Sequence, residues 1–256
     1  MPGAGAAFDV AGPAAGPAIL LVHGSVVTRV MWQPQLRELS DAFKVIAPDL
    51  PGHGALAKTP FTFEHAVDTL VQIIEAHARG RALVVGLSLG GYVAIELARQ
   101  HPGRVAGVVL SGCSLNFRGA LGTYLSVVSY LMRRGWLKQS REKAEQKTRR
   151  VFPPALADVA DAQIQAGVSP DALGAAFAGM AHQDFSAHLA EYPGPTLILN
   201  GANDSASKRG AAQFVDASRN GRLQTLAGAG HACSFDQPDA FSQAIRDFAR
   251  SIGWAS

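Results

Sequence analysis

A chain of 256 residues that is 48% hydrophobic and 17% charged can bury a sizeable core, which excludes intrinsic disorder. Its formal net charge of +3 is too weak to imply a nucleic-acid partner. Two cysteines, Cys113 and Cys233, do not make a disulfide framework, and no run is long and apolar enough to span a bilayer. The first ten residues lack the basic start and apolar run of a secretory signal, so a reducing cytoplasm with two unpaired thiols is expected.

In chain order, residues 4–17 are rich in Ala, Gly and Pro and read as a loose arm with at most one short strand near residues 8–10. Short apolar runs follow at 18–23 (AILLVH), 43–47 (FKVIA), 82–87 (ALVVGL), 105–110 (VAGVVL) and 196–200 (TLILN), with a weaker one at 222–226 (RLQTL). The first five are continuous rather than alternating, as strands buried on both faces are in a parallel sheet. Helical patterns lie between them. Thr62 can cap a helix carrying Val67, Leu70, Val71, Ile74 and His77, and others are expected at 89–100, 211–217 and 238–252. This alternation predicts an α/β fold: a mostly parallel central sheet with helices on both faces.

The alternation breaks between residues 115 and 183. That stretch reads as an inserted helical cap, leaving 1–114 and 184–256 as the core. Leu121, Leu125, Val128 and Leu131 fall on one helical stripe, which predicts a face that packs on the core or lines a pocket. Between Arg133 and Arg150 stand eight Lys or Arg residues against Glu142 and Glu145. The plain reading is a solvated helix face, and the sharper one is a basic rim attracting anionic substrates or a membrane surface.

Gly86-Leu87-Ser88-Leu89-Gly90 fits G-x-S-x-G where a buried strand gives way to a helix. A sharp turn there would expose the serine hydroxyl, and the glycines keep side chains out of the crowded turn. A serine needs a base to take its proton, and the base an acid to orient it. His231, in GAGH after the last run, and Asp204, in NGAND after the fifth, stand in the expected chain order. All three loops leave the carboxyl ends of parallel strands, which gather on one edge of the sheet. An oxyanion needs N–H donors: Leu89, directly after the serine, and Ser25 after the first run, with Val26 as the alternative to Ser25. His23 is expected to order that loop rather than to react.

The pieces LLVHGS with Trp32 shortly after, APDLPGHG, GLSLGG, PTLILNGAND, and GAGH followed by Pro238 and Phe241 resemble the α/β-hydrolase superfamily, in its cofactor-free esterase-like group. They span most of 18–115 and 195–248. The resemblance implies hydrolysis of a small carboxylic ester through Ser88, His231 and Asp204, with structural roles for Asp49, His53 and Asp184. The N-terminal strands usual in the family are nearly absent. Residues 111–114 (SGCS) hold no carboxylate, which favours Asp204 as the acid, and a serine nucleophile argues against dehalogenase or epoxide hydrolase chemistry.

Other reactions of this kind of site are C–C bond hydrolysis, a triad lyase and perhydrolysis. The lyase group resembles the chain at PGHG and SLGG but carries an Arg where Tyr92 stands here. A receptor that keeps the three residues is the alternative outside enzymology. No metal or organic cofactor is expected, because no His/Cys/carboxylate cluster has ligand spacing. The expected partner is a small-molecule substrate, and oligomeric state is open.

Overall fold

The computed structural model describes residues 7–137, 140–167 and 170–255. The start of the loose N-terminal arm (residues 4–6) and Lys138 of the basic run lie outside them, as do residues 168–169 of the inserted stretch. The strands are β1 Phe8–Ala11, β2 Ala18–Val22, β3 Lys44–Pro48, β4 Ala82–Leu87, β5 Val105–Ser111, β6 Pro195–Gly201 and β7 Asn220–Leu226. The helices are α1 Gln33–Leu39, α2 Phe63–His77, α3 Leu89–Gln100, α4 Gly119–Arg133, α5 Arg141–Val151, α6 Ala157–Ala166, α7 Pro170–Met180, α8 Phe185–Ala190, α9 Ser205–Ala217, α10 Cys233–Asp236 and α11 Pro238–Ser251.

Among the described residues the strands form one sheet in the order β1-β3-β2-β4-β5-β6-β7, parallel except for β1. This is the mostly parallel sheet that the apolar runs predict. β2, β4 and β5 are buried along their whole length. Successive side chains of a strand point to opposite faces. Leu20, Val22, Val84, Val108 and Ile198 therefore meet Val67, Leu70, Val93 and Leu97 of α2 and α3 in one core. Their neighbours Ile19, Leu21, Leu83, Val85, Val109 and Leu197 meet Leu39, Phe241 and Ile245 of α1 and α11 in a second core. Both sheet faces are covered, and that is why the runs show no alternation.

Some boundaries differ from the sequence pattern. Among the described residues the N-terminal strand β1 lies antiparallel on β3, pairing Phe8 with Pro48, and forms the sheet's first edge. Helix α9 starts at Ser205, six residues ahead of its apolar stretch, because the Asp204 carboxylate accepts the Ser207 N–H and caps it. Helix α2 begins where expected, with Thr62 accepting the His65 N–H at 3.0 Å.

Between β5 and β6 the chain runs through α4, α5, α6, α7 and α8. The start and end of this excursion are clasped together. The Phe117 N–H donates to Gln183 O at 3.0 Å, and the His182 N–H donates to Phe117 O at 2.7 Å. Arg118 pairs with Asp184 beside them. The expected stripe of Leu121, Leu125, Val128 and Leu131 is corrected by the structure. Helix α4 buries Gly122, Leu125 and Ser129, while Leu121 is exposed. This face packs on α7, with the Ser129 hydroxyl donating to Gly174 O at 2.7 Å. Small residues let the two helices approach closely, which a search for large apolar residues does not detect.

Candidate active site

Ser88 links β4 to α3 with φ 53° and ψ −118°. A residue with a Cβ is strained in such a conformation, at a cost of about 1–3 kcal/mol. The surrounding turn leaves no alternative. A Cβ on Gly86 would lie 2.3 Å from Gly90 O, and one on Gly90 would lie 2.2 Å from Val22 O. Both clashes are with backbone, so the turn requires glycine on each side of the serine. The Ser88 N–H donates to Ser111 O at 2.8 Å and ties the turn to β5.

Asp204 ends the loop after β6 and is buried. One carboxylate oxygen, Oδ1, accepts the Ser207 N–H at 3.2 Å. The other, Oδ2, lies 2.9 Å from His231 Nδ1. Burial would raise this acid's pKa, but hydrogen bonds from Ser207 and His231 outweigh it and hold the carboxyl below its ordinary value. An ionised Asp204 accepts Nδ1–H, so the neutral imidazole keeps its lone pair on Nε2. The ring also rests on Gly112, where a Cβ would approach His231 Cε1 to 2.9 Å. Gly112 itself is held by its N–H donating to Asn200 Oδ1 at 3.2 Å.

The loop after β2 carries Ser25. The next residue, Val26, has φ 57°, a conformation that a β-branched side chain adopts only under constraint. His23 anchors the loop from below. Its Nδ1–H donates to Gly24 O at 2.7 Å and its Nε2 accepts the Leu50 N–H at 2.9 Å. Burial, with His53 alongside, pushes its pKa well below the ordinary value, so it stays neutral. Asp49 accepts N–H groups of Arg29 and Ala55 and pairs with the Arg29 guanidinium. Asp184 caps α8 through the Ala187 N–H.

Ser25, Val26, Ser88 and His231 line one cavity of about 760 Å³. Asp204 stands behind His231, and Leu89 is the first residue of α3, where helical N–H groups lack intrahelical partners. The cavity's apolar walls are Val27, Met31, Phe152, Phe235, Met132 and Leu173, with Phe152 stacked on Phe235 at 4.2 Å between ring centres. Most of the insertion's contribution thus comes from Met132, α5, α6 and Leu173, rather than from the Leu121–Leu125–Val128–Leu131 stripe. A larger groove of about 1070 Å³ is lined in part by α7 residues, but Ser88 and His231 do not line it.

Several positioning residues carry no sequence signal. Buried Gln163 of α6 accepts both the N–H and the hydroxyl of Thr28, tying the insertion to the Ser25 loop. Cys233 sits 3.0 Å from Ser111 Oγ beneath the site, and burial raises its thiol pKa to about 11, so it is a packing residue. Tyr92 is also buried, where its hydroxyl accepts the Leu115 N–H.

The sequence profile described as the alpha/beta hydrolase family matches residues 19–244. The chain belongs to the α/β-hydrolase family. It is 30% identical over 249 residues to the pimeloyl-[acyl-carrier protein] methyl ester esterase of Edwardsiella ictaluri, covering 90% of this chain and 92% of that one. It is 28% identical over 257 residues to the protein of the same description from Aromatoleum aromaticum, covering 91% and 98%. Among solved structures, a thermophilic esterase from Thermogutta terrifontis, malate bound, matches with a TM-score of 0.78 at 29% identity, over 96% of this α/β-hydrolase and 93% of that chain. The protein is therefore an enzyme, a hydrolase whose relatives include esterases. No helix among its described residues is long and apolar enough to cross a membrane.

Proposed function

We propose that this hydrolase cleaves a small carboxylic ester through a Ser88–His231–Asp204 triad and an acyl-enzyme. The observation that carries the reading is a serine held at φ 53° in the same cavity as a histidine whose Nδ1 lies 2.9 Å from a buried carboxylate. His231 Nε2 takes the Ser88 proton as Oγ attacks the ester carbonyl. Asp204 fixes the imidazole tautomer and stabilises the imidazolium that forms. The tetrahedral oxyanion accepts the N–H groups of Leu89 and Ser25. The bent loop at Val26 supports this role for Ser25, since strain of this kind gathers at functional sites. The imidazolium then protonates the departing alkoxide, and a water activated by His231 releases the acid. The insertion at 115–183 acts as a cap whose apolar wall, Met132 with Phe152 and Leu173, holds the acyl chain.

The relatives described as methyl ester esterases act on the same class of bond. The lyase alternative draws no support from Tyr92, which is buried against Phe117 and Phe185. The test is a turnover panel of p-nitrophenyl esters of rising acyl length, with a C–C hydrolase substrate beside it. Ser88→Ala should lower ester turnover on the order of 10⁴-fold or more. Near-wild-type turnover in folded Ser88→Ala protein would end the proposal.

A further inference from the structure

Helix α4 has a second face that its packing leaves outward. Gly122, Leu125 and Ser129 are buried, so at 100° per residue Tyr124 and Val127 point the opposite way. Tyr124 is 61% exposed and Val127 52%, and Tyr130 beside them is 51% exposed. Just beyond the helix, Trp136 is 72% exposed, its ring set edge-on to Tyr130. The Arg134 guanidinium lies 5.1 Å from the Tyr130 ring centre. A soluble surface rarely gathers exposed aromatics in one place without a use for them.

Cations stand beside this face. Arg134 follows the end of α4 with its guanidinium over Tyr130, and α5 exposes Lys143, Lys147 and Arg150 against Glu142. The two features meet at the cavity that holds Ser88. Lys147, Leu137 and Val151 are all exposed, and all three line that cavity.

We propose that the outward face of α4, with Trp136 and the cationic side of α5, docks this protein on an anionic lipid bilayer, with the cavity mouth turned toward the membrane. Exposed Tyr124, Tyr130 and Trp136 together with exposed cations suit insertion among anionic headgroups better than contact with a protein segment. Tyr and Trp rings are at home at that depth, with an apolar body and a polar edge. Lys and Arg extend their stems over apolar surface and keep the charge among lipid phosphates. The charge pattern selects an anionic leaflet over a neutral one. An ester dissolved in the bilayer would then reach Ser88 past Leu137 and Val151. That last consequence rests on the proposed ester hydrolysis, whereas the docking does not.

The experiment is flotation of full-length Ser88→Ala protein with vesicles of phosphatidylcholine alone or mixed with phosphatidylglycerol, so that binding is read without turnover. Binding should need phosphatidylglycerol and weaken with salt. Lys143→Gln with Arg150→Gln should lower the partition constant by about fivefold for each charge removed. Trp136→Ser with Tyr124→Ser should lower it at least tenfold. Brominated lipid should quench tryptophan fluorescence in the parent and much less in Trp136→Phe. Failure to float on anionic vesicles, equal binding to neutral ones, or binding indifferent to these variants while their circular dichroism stays native would overturn the proposal. So would self-association through this face, seen as a dimer that Trp136→Ser dissolves and that does not float.

Discussion

The strain at Ser88 can be measured as stability, separately from chemistry. Ser88→Ala and Ser88→Gly both delete the hydroxyl, and they differ only in the Cβ. At φ 53° and ψ −118° that Cβ costs about 1–3 kcal/mol. Glycine returns roughly 0.4–1 kcal/mol of this through the greater freedom of its unfolded chain. The Ser88 N–H bond to Ser111 O survives in both, since it is made by backbone. Ser88→Gly should therefore be the more stable of the pair by about 1 kcal/mol, a Tm higher by roughly 2–4 °C for a chain of this size. Calorimetry and urea unfolding measure the difference. Ser88→Gly protein that melts at or below Ser88→Ala would mean that the turn stores no strain at this residue.

Asp204→Asn should cut ester kcat/KM by on the order of 10⁴-fold by favouring the wrong imidazole tautomer, as steady-state kinetics would reveal. The folded pKa of Asp204 is depressed, so its contribution to stability is present above the unfolded value of about 4 and is lost as pH falls through the folded one. The stability gap between wild type and Asp204→Asn should accordingly narrow on acidification below about pH 4, and a gap that widens there would contradict the sign of the shift. Met132→Trp should lower the butyrate-to-acetate ratio of kcat/KM by roughly tenfold by filling the cavity. Leu125→Trp, pressed against α7, should leave that ratio alone and cost about 1–3 kcal/mol in chemical unfolding. Gly112→Ala adds a Cβ 2.9 Å from His231 Cε1, so kcat should fall roughly 100-fold while circular dichroism stays native.

The strands were legible because burial on both faces writes a continuous apolar run, as in ALVVGL of β4 and VAGVVL of β5. The turn at Ser88 was legible because it needs glycine at 86 and 90 for steric reasons that operate at short range. Asp204 and His231 could be placed on one edge because each follows a parallel strand directly, and their 2.9 Å contact completes that placement. The cavity walls were not legible. Met132, Phe152 and Leu173 come from separate parts of the insertion, and only tertiary packing brings them to one wall. Gln163 escaped notice for a related reason, since its buried bonds to Thr28 span 135 residues. The start of α9 was hidden because its first turn is polar and its signal is a cap already claimed by the imidazole.

The clasp between Phe117 and His182 has a consequence for how such a chain can diversify. Because those residues are bonded to each other through backbone, the excursion from α4 to α7 starts and ends at adjacent points, before α8 carries the chain on to β6. Everything between them hangs from a doorway whose posts belong to the sheet's side of the molecule. Residues can be added, removed or replaced in that excursion without altering the register of Val108, Val109 and Leu110 against Thr196, Leu197 and Ile198. The proposed triad and the proposed acyl wall can thus change at separate rates, one constrained by close backbone contacts and the other by the shared doorway and by ties such as that of Gln163 to Thr28.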